Sequence, residues 1–351
     1  MEPKKLAEER LPRIKDFCGK KRGALINVTE IASLKTLPFK PLSAWNFPSE
    51  LYQYLDTIIE AAELHWSQRG EVHDDLLPAV CPWFGIAEHS AIVAGEIHFT
   101  ERTSFQVPYI TSWEKLGSIS LSGDNKWFKI LMDSFVYLKE KTEGRFMLKQ
   151  RGGAGPMDMA NALRGNEIFS DFYDCPDEVH KLLALCVKAI DWSFENQMKI
   201  IGKNENDGGF ISYYSAWMPG KSAGHFSEDA SVMCSVPMYN EFGRPYTEKF
   251  CAGYDNTMVH LHGAGKHAFA EILSVPNCNF VELTNDPKHS RGMELLKEFE
   301  PLFEGKTVVL HLNRDEFDAN REFLKTKKVI IDYAAVSVED AVSMVKAVRS
   351  L

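Results

Sequence analysis

An α/β fold organised around a parallel sheet is what this 351-residue sequence predicts, and three observations predict it. From Arg145 onward short apolar runs alternate with amphipathic helical segments, the pattern of strands joined by helical crossovers. The chain is 44% apolar and 11% aromatic, enough to bury a large core. No repeat, low-complexity tract or Gly/Ser linker divides it, which predicts one domain with an elaborated first third.

The elements follow in order. Residues 1–22 are charged and predict a lead-in helix; the remainder, 23–351, forms the main domain. A short strand is predicted at Ala24 to Val28. A helix follows near Leu51 to Ser67, with Leu51, Leu55, Ile58, Ile59 and Ala62 on one face. The stretches from Cys81 to Lys126 and from Pro219 to Ser227 read as irregular. The later apolar runs are Phe146 to Lys149, Gly209 to Tyr213, Met258 to Leu261, Phe280 to Leu283, Thr307 to Leu312 and Val329 to Ile331. Between them, Pro176 suits the first turn of a helix that carries Asp177 and Glu178 near its start and Val179, Leu182, Leu183, Cys186 and Ile190 on its apolar face. The last helix opens with Ser337-Val338-Glu339-Asp340 and turns Ala341, Val342, Val345 and Val348 inward. Strand–helix alternation of this kind suits a parallel barrel or a doubly wound sheet, and periodicity does not choose between them. No G-x-G-x-x-G follows a strand, so no nucleotide cofactor is expected.

A net charge of −9 and the lack of any basic block interleaved with aromatics argue against a nucleic-acid partner. No apolar run has the length of a membrane span, and the charged amino terminus, Met1 to Asp16, reads as neither a secretory signal nor an anchor. The seven scattered cysteines form no Cys-x-x-Cys pair and read as reduced thiols of a cytoplasmic protein.

Candidate functional residues are the polar ones where apolar runs stop: Gln150, Tyr213, Tyr214, His260, His262, Glu282, His311 and Tyr333. His260 and His262 are the sharpest pair. Residues i and i+2 of a strand share a face with Cα atoms roughly 6.5 Å apart, close enough for two imidazoles to chelate one ion. The alternative is one structural histidine and one that binds substrate. Glu282 is a ligand, a base or a salt-bridge partner, and Asp229 an acid near substrate or a turn former. Trp83 and Trp217 wall a pocket or belong to the core, and Cys278 is a ligand or a small buried hydrophobe. The run Gly152-Gly153-Ala154-Gly155 reads as a loop, flexible or able to offer backbone N–H groups to an anion.

Several of these stretches resemble one family. The segment Gly153-Ala154-Gly155-Pro156 to Gly165, then Asp174 to Leu183, is similar to uroporphyrinogen decarboxylases and their relatives, as is Glu228-Asp229-Ala230-Ser231-Val232-Met233-Cys234 leading to Met238-Tyr239-Asn240-Glu241-Phe242 and Pro245-Tyr246. Within that superfamily the chain resembles a branch carrying His-Leu-Asp-Gly where this sequence has His260-Leu261-His262-Gly263. The resemblance, running from about Ala24 to the end, implies a single (β/α)8 TIM barrel, possible dimerisation and a site at the barrel mouth. The decarboxylases carry Arg-Gln-Ala-Gly-Arg after the first strand to clamp a polycarboxylate; here Leu25-Ile26-Asn27-Val28-Thr29-Glu30 has no arginine, which argues against a tetrapyrrole substrate. The related corrinoid-linked methyltransferases hold zinc with His-x-Cys and a later cysteine. His260 matches the histidine, His262 stands at the cysteine, and Asp332-Tyr333-Ala334-Ala335 supplies no late thiol.

The resulting expectation is an enzyme acting on a small organic substrate, with zinc or another divalent metal on His260, His262 and Glu282. Asp229, Glu282 and Tyr214 are the expected catalytic residues; Gln150, Trp217, Trp83, Tyr333 and His311 are expected to contact substrate. Methyl transfer with a corrinoid protein as partner is the leading reaction. Its alternatives are metal-free decarboxylation and a binding subunit without chemistry.

Overall fold

The computed structural model describes residues 2–202 and 206–351; of the predicted lead-in segment, Met1 lies outside the described residues. Seven strands form one wholly parallel sheet in the order Gly23–Ile31, Lys328–Ala335, Thr307–His311, Cys278–Leu283, Asn256–Leu261, Ser222–Ser227 and Gly153–Ala154. A further parallel pair joins Ala79–Val80 to Met147–Leu148, and Lys149 bridges to Ile211. Parallel neighbours need crossovers, and the long helices Leu51–Gln68, Lys126–Thr142 and Pro176–Ile201 supply them in the first two thirds.

The predicted runs at Ala24, Met258, Phe280, Thr307 and Val329 are all sheet strands. Two expectations need correction. Pro219 to Ser227, read as irregular, contains the strand Ser222–Ser227, whose short Ser-Ala-Gly sequence hides the apolar run that marks the others. The Gly153–Ala154 segment, read as loop, is buried strand paired with Phe226 and Ser227. The run at Gly209 is a strand, Gly209–Ile211, but it folds back as an antiparallel hairpin onto Trp217–Pro219. The Cys81–Lys126 stretch is ordered as well. It contains the helix Glu88–Ala91 and the antiparallel hairpin of Glu96–Phe99 with Ser104–Val107.

One face of the sheet is built in layers two residues apart. Toward the amino ends it carries Leu25, Met258, Phe280, Val309 and Ile330, all buried in one cluster with Ala7, Leu11, Ile14 and Phe17 of the first helix, Pro3–Cys18. One step further along the same strands come Asn27, His260, Glu282, His311 and Asp332, because a two-residue step returns a side chain to the same face. The register pairs His260 with Glu282, and His311 with Asp332, which is in turn opposite Asn27; Glu282 itself stands opposite Val309, one two-residue step below His311. An apolar floor sealed by the first helix thus supports a polar layer above it.

The outer edge of Gly23–Ile31 is closed by side chains. Asp75 accepts from Ile26 N at 2.9 Å and Asp74 from Val28 N at 2.8 Å, while Asp75 N donates to Ile26 O at 2.7 Å. Asp74 is held by Arg10 and Arg69, at 2.7 and 2.6 Å, and Asp75 by Arg349 at 2.7 Å.

Candidate functional site

His260 is the penultimate residue of the strand Asn256–Leu261, and His262 follows just past the strand's end on the same face. Their Nε2 atoms face each other at 2.9 Å. Each ring is gripped by a carboxylate at its other nitrogen: His260 Nδ1 by Glu282, and His262 Nδ1 by Asp286 Oδ2 at 2.8 Å. A carboxylate at Nδ1 fixes the proton there, which leaves a lone pair on each Nε2. Asp229 Oδ1 lies 3.3 Å from His262 Nε2. With each ring's proton at Nδ1, the two Nε2 atoms and the Asp229 oxygen converge as acceptors, their ligand atoms all within 4.8 Å of one another. This donor set, two imidazole nitrogens and a carboxylate oxygen, fits a divalent cation such as zinc.

Glu282 is fully buried, and both of its oxygens are taken, one by His260 and the other by His311 Nε2. Its carboxylate thus stands behind the histidines, and Asp229 is the oxygen nearest the paired Nε2 atoms. His311 is flanked on its far side by Asp332 at 3.4 Å. Burial works against protonating His311, but the two carboxylates outweigh it and push its pKa up to about 10. The same competition operates at His260, where burial is outweighed by Glu282 and the pKa rises. Glu282, resisting burial through its two imidazole partners, is held below the usual carboxylate range.

Tyr214 stacks on His260 with ring centroids 5.3 Å apart and planes 12° apart, and its hydroxyl lies 2.9 Å from Nδ1. Asp158 positions the loop that carries Asp229: it accepts from Asp229 N at 3.0 Å and Ala230 N at 2.6 Å, and from the Ser227 hydroxyl. Burial, reinforced by Asp229, raises the Asp158 pKa to about 6.

Two cavities meet at Trp83, Tyr213 and Tyr214. The larger, about 890 Å³, is lined by His260, Asp229, Asp158, His225, His89 and Arg151, with Ile86, Phe105 and Met233 among its apolar residues. The smaller, about 420 Å³, contains His311, Asp332, Thr29 and Lys149. The elaborated first third supplies Trp83, His89 and Phe105, so it roofs the carboxyl end of the sheet.

The structure brings Asp229, Tyr214, Glu282, His260, His262, His311 and Trp83 together and leaves three expected residues elsewhere. Gln150 is buried with its amide spent on Ser222 O and Gly224 N, at 2.8 and 3.1 Å. Tyr333, adjacent to inward-facing Asp332, points to the other face and donates to Asp340 at 3.0 Å. Trp217 packs in the floor cluster, its Nε1 donating to Asn206 O at 2.8 Å. Cys278 is fully buried at the amino end of its strand. Sequence reading overlooked Arg151, Asp158, His89 and His225. Arg151 directly follows the strand-end residue Gln150, a signal that was available; His225 lay in a strand that its own sequence concealed.

No protein-family pattern matches this chain, and no curated protein does. Among solved structures, the chain is similar in fold to a methyltransferase from Methanosarcina mazei, with a TM-score of 0.62 and 14% identity over 97% of this chain and 98% of that one.

Proposed function

We propose that this chain is a metal-dependent enzyme of the uroporphyrinogen decarboxylase-like kind that transfers a methyl group to or from a small substrate in the larger cavity. The observation that carries the reading is the convergence of His260, His262 and Asp229, with the Nδ1 atoms of both rings held by carboxylates. Near-continuous pairing supports closure of the sheet into a (β/α)8 barrel. Asp75 meets the first strand, Ala79–Val80 meets Met147–Leu148, and Gly153–Ala154 meets Ser222–Ser227. Methyl transfer is the chemistry named for the Methanosarcina mazei protein of like fold.

His260, His262 and Asp229 would hold the ion, with Glu282 and Asp286 orienting the two rings. When bound, a divalent ion lowers the pKa of a thiol or hydroxyl ligand and so supplies a nucleophile at neutral pH. The chain's own groups do the rest. Tyr214 fixes the plane of His260, Asp158 fixes the Asp229 loop, and Trp83 with Tyr213 forms an aromatic wall that excludes water. Exposed Ile86, Phe105 and Met233 at the cavity give it an apolar rim, suited to a methyl donor presented by a large partner such as a corrinoid protein.

The test is demethylation of methylcobalamin by small thiols, followed by the absorbance of the reduced corrinoid, with metal content measured on the same preparation. Activity and stoichiometric metal in the wild type, both lost in His262→Ala, support the reading. A protein that binds no zinc, cobalt or iron and leaves methylcobalamin intact overturns it, and the His260–His262 pair then becomes the proton donor of a metal-free decarboxylase.

A further inference from the structure

The larger cavity has a second polar wall, remote in bonding from the triad. Arg151 is fully buried and fixed in place: its Nε donates to Glu88 Oε2 at 2.9 Å, Nη2 donates to Gly85 O, and the guanidinium lies over Trp83 at 4.4 Å and Tyr213 at 5.4 Å. Its remaining nitrogen, Nη1, carries two N–H groups and has no hydrogen-bond partner among the described residues. Beside it His225, only 7% exposed, has no hydrogen-bond partner at Nδ1 among the described residues, nor has His89 at Nε2, where Glu88 Oε1 is 3.9 Å away. All three residues line the cavity. Backbone geometry makes room for this wall. Gly152 has φ +83°, and a Cβ there would fall 2.6 Å from Cε1 and Nδ1 of His225.

Buried donors without acceptors are rare because each forfeits its hydration, and a charged one forfeits most. Among the described residues that line the cavity, the unpartnered buried side-chain atoms belong to His89, Arg151 and His225, on one wall. In the tautomer that carries its proton on Nδ1, His225 adds an N–H to those of Arg151, and the two together present a fork of donors. A planar oxyanion is the group that such a fork recognises. The other acidic groups lining the cavity, Asp158 and Asp229, bond within the triad's own network. The two walls therefore select opposite ends of one ligand. His225 links them, its ring 5.6 Å from that of His260 and 5.6 Å from that of Tyr213.

The geometry points to a carboxylate-bearing substrate, anchored by Arg151 and His225 while its reacting end faces Asp229, His260 and His262. This rests on reading the cavity as the substrate site, but not on any metal or turnover. The probes are succinate and its uncharged diamide, added to chelator-treated protein and followed by calorimetry and saturation-transfer NMR. Succinate should bind the metal-free wild type at least tenfold more tightly than succinamide. Arg151→Lys keeps the ion pair to Glu88 but loses the fork, and should weaken succinate tenfold or more. His225→Phe should do the same, and Tyr333→Phe, on the opposite face of its strand, should leave succinate binding unchanged. Equal binding of diamide and diacid overturns the assignment, as does undiminished succinate binding by folded His225→Phe. A wild type that lacks methyl transfer but still prefers succinate in this way would sink the proposed reaction and keep the anchor.

Discussion

His262 Nδ1 and Asp286 Oδ2 lie 2.8 Å apart, and this contact sets the direction of the His262 lone pair. With His260 gripped in the same manner by Glu282, the two rings aim at a common point before any ion arrives. Replacing Asp286 with alanine should therefore weaken zinc binding by roughly 10–100-fold with the ligands themselves intact. His262→Ala and His260→Ala should abolish stoichiometric binding, and Cys278→Ser should leave it unchanged. Calorimetric titration of chelator-treated variants with zinc decides the matter.

His311 sits between Glu282 and Asp332, and its raised pKa has a stability consequence of definite sign. The contribution from its protonated form is present in full below about 6.5 and is lost as pH climbs through about 10. Resonances of its ring nitrogens should report an imidazolium at pH 8. Asp332→Asn should bring the titration down toward neutrality, and a neutral His311 at pH 8 in the wild type would contradict the arrangement.

Asp74 bridges Arg10 and Arg69 and accepts from Val28 N, all within the core. Asp74→Ala leaves two buried guanidinium groups without their shared carboxylate and uncovers the edge of the first strand. The expected loss is about 3–5 kcal/mol in chemical denaturation. A loss below about 1 kcal/mol would show that the edge is held by Asp75 alone.

Asp191 accepts from the Tyr254 hydroxyl at 3.2 Å, and burial raises its pKa from 3.8 to about 6. Because the folded state favours the protonated acid, stability is fullest below about 3.8 and falls as pH rises through about 6. Asp191→Asn keeps the acceptor and removes the charge. Since the group is partly exposed and screened, the gain at pH 7 should be on the order of 1 kcal/mol, vanishing near pH 3. Thermal melts at both pH values check the sign.

The sequence by itself determined the strands whose apolar runs were unbroken and the polar residues that end them. Met258-Val259-His260-Leu261-His262 announces both a strand and a same-face histidine pair, because the two-residue period of a strand is local and needs no partner. Glu282 and His311 were legible for the same reason. What only the tertiary structure decided was which of these groups meet. Register places Glu282 opposite His260 and beneath His311, consuming both its oxygens, and the Asp158-anchored loop delivers Asp229 to the two Nε2 atoms. Tyr333 and Gln150 end apolar runs just as His260 does, yet one faces outward by parity and the other spends its amide on the backbone. Ser222–Ser227 carried no apolar signal because its neighbours, not its own residues, provide the burial, and so His225 and the wall it shares with Arg151 stayed hidden. Pairing and burial are long-range quantities: they depend on contacts between segments tens to hundreds of residues apart, which no local pattern encodes.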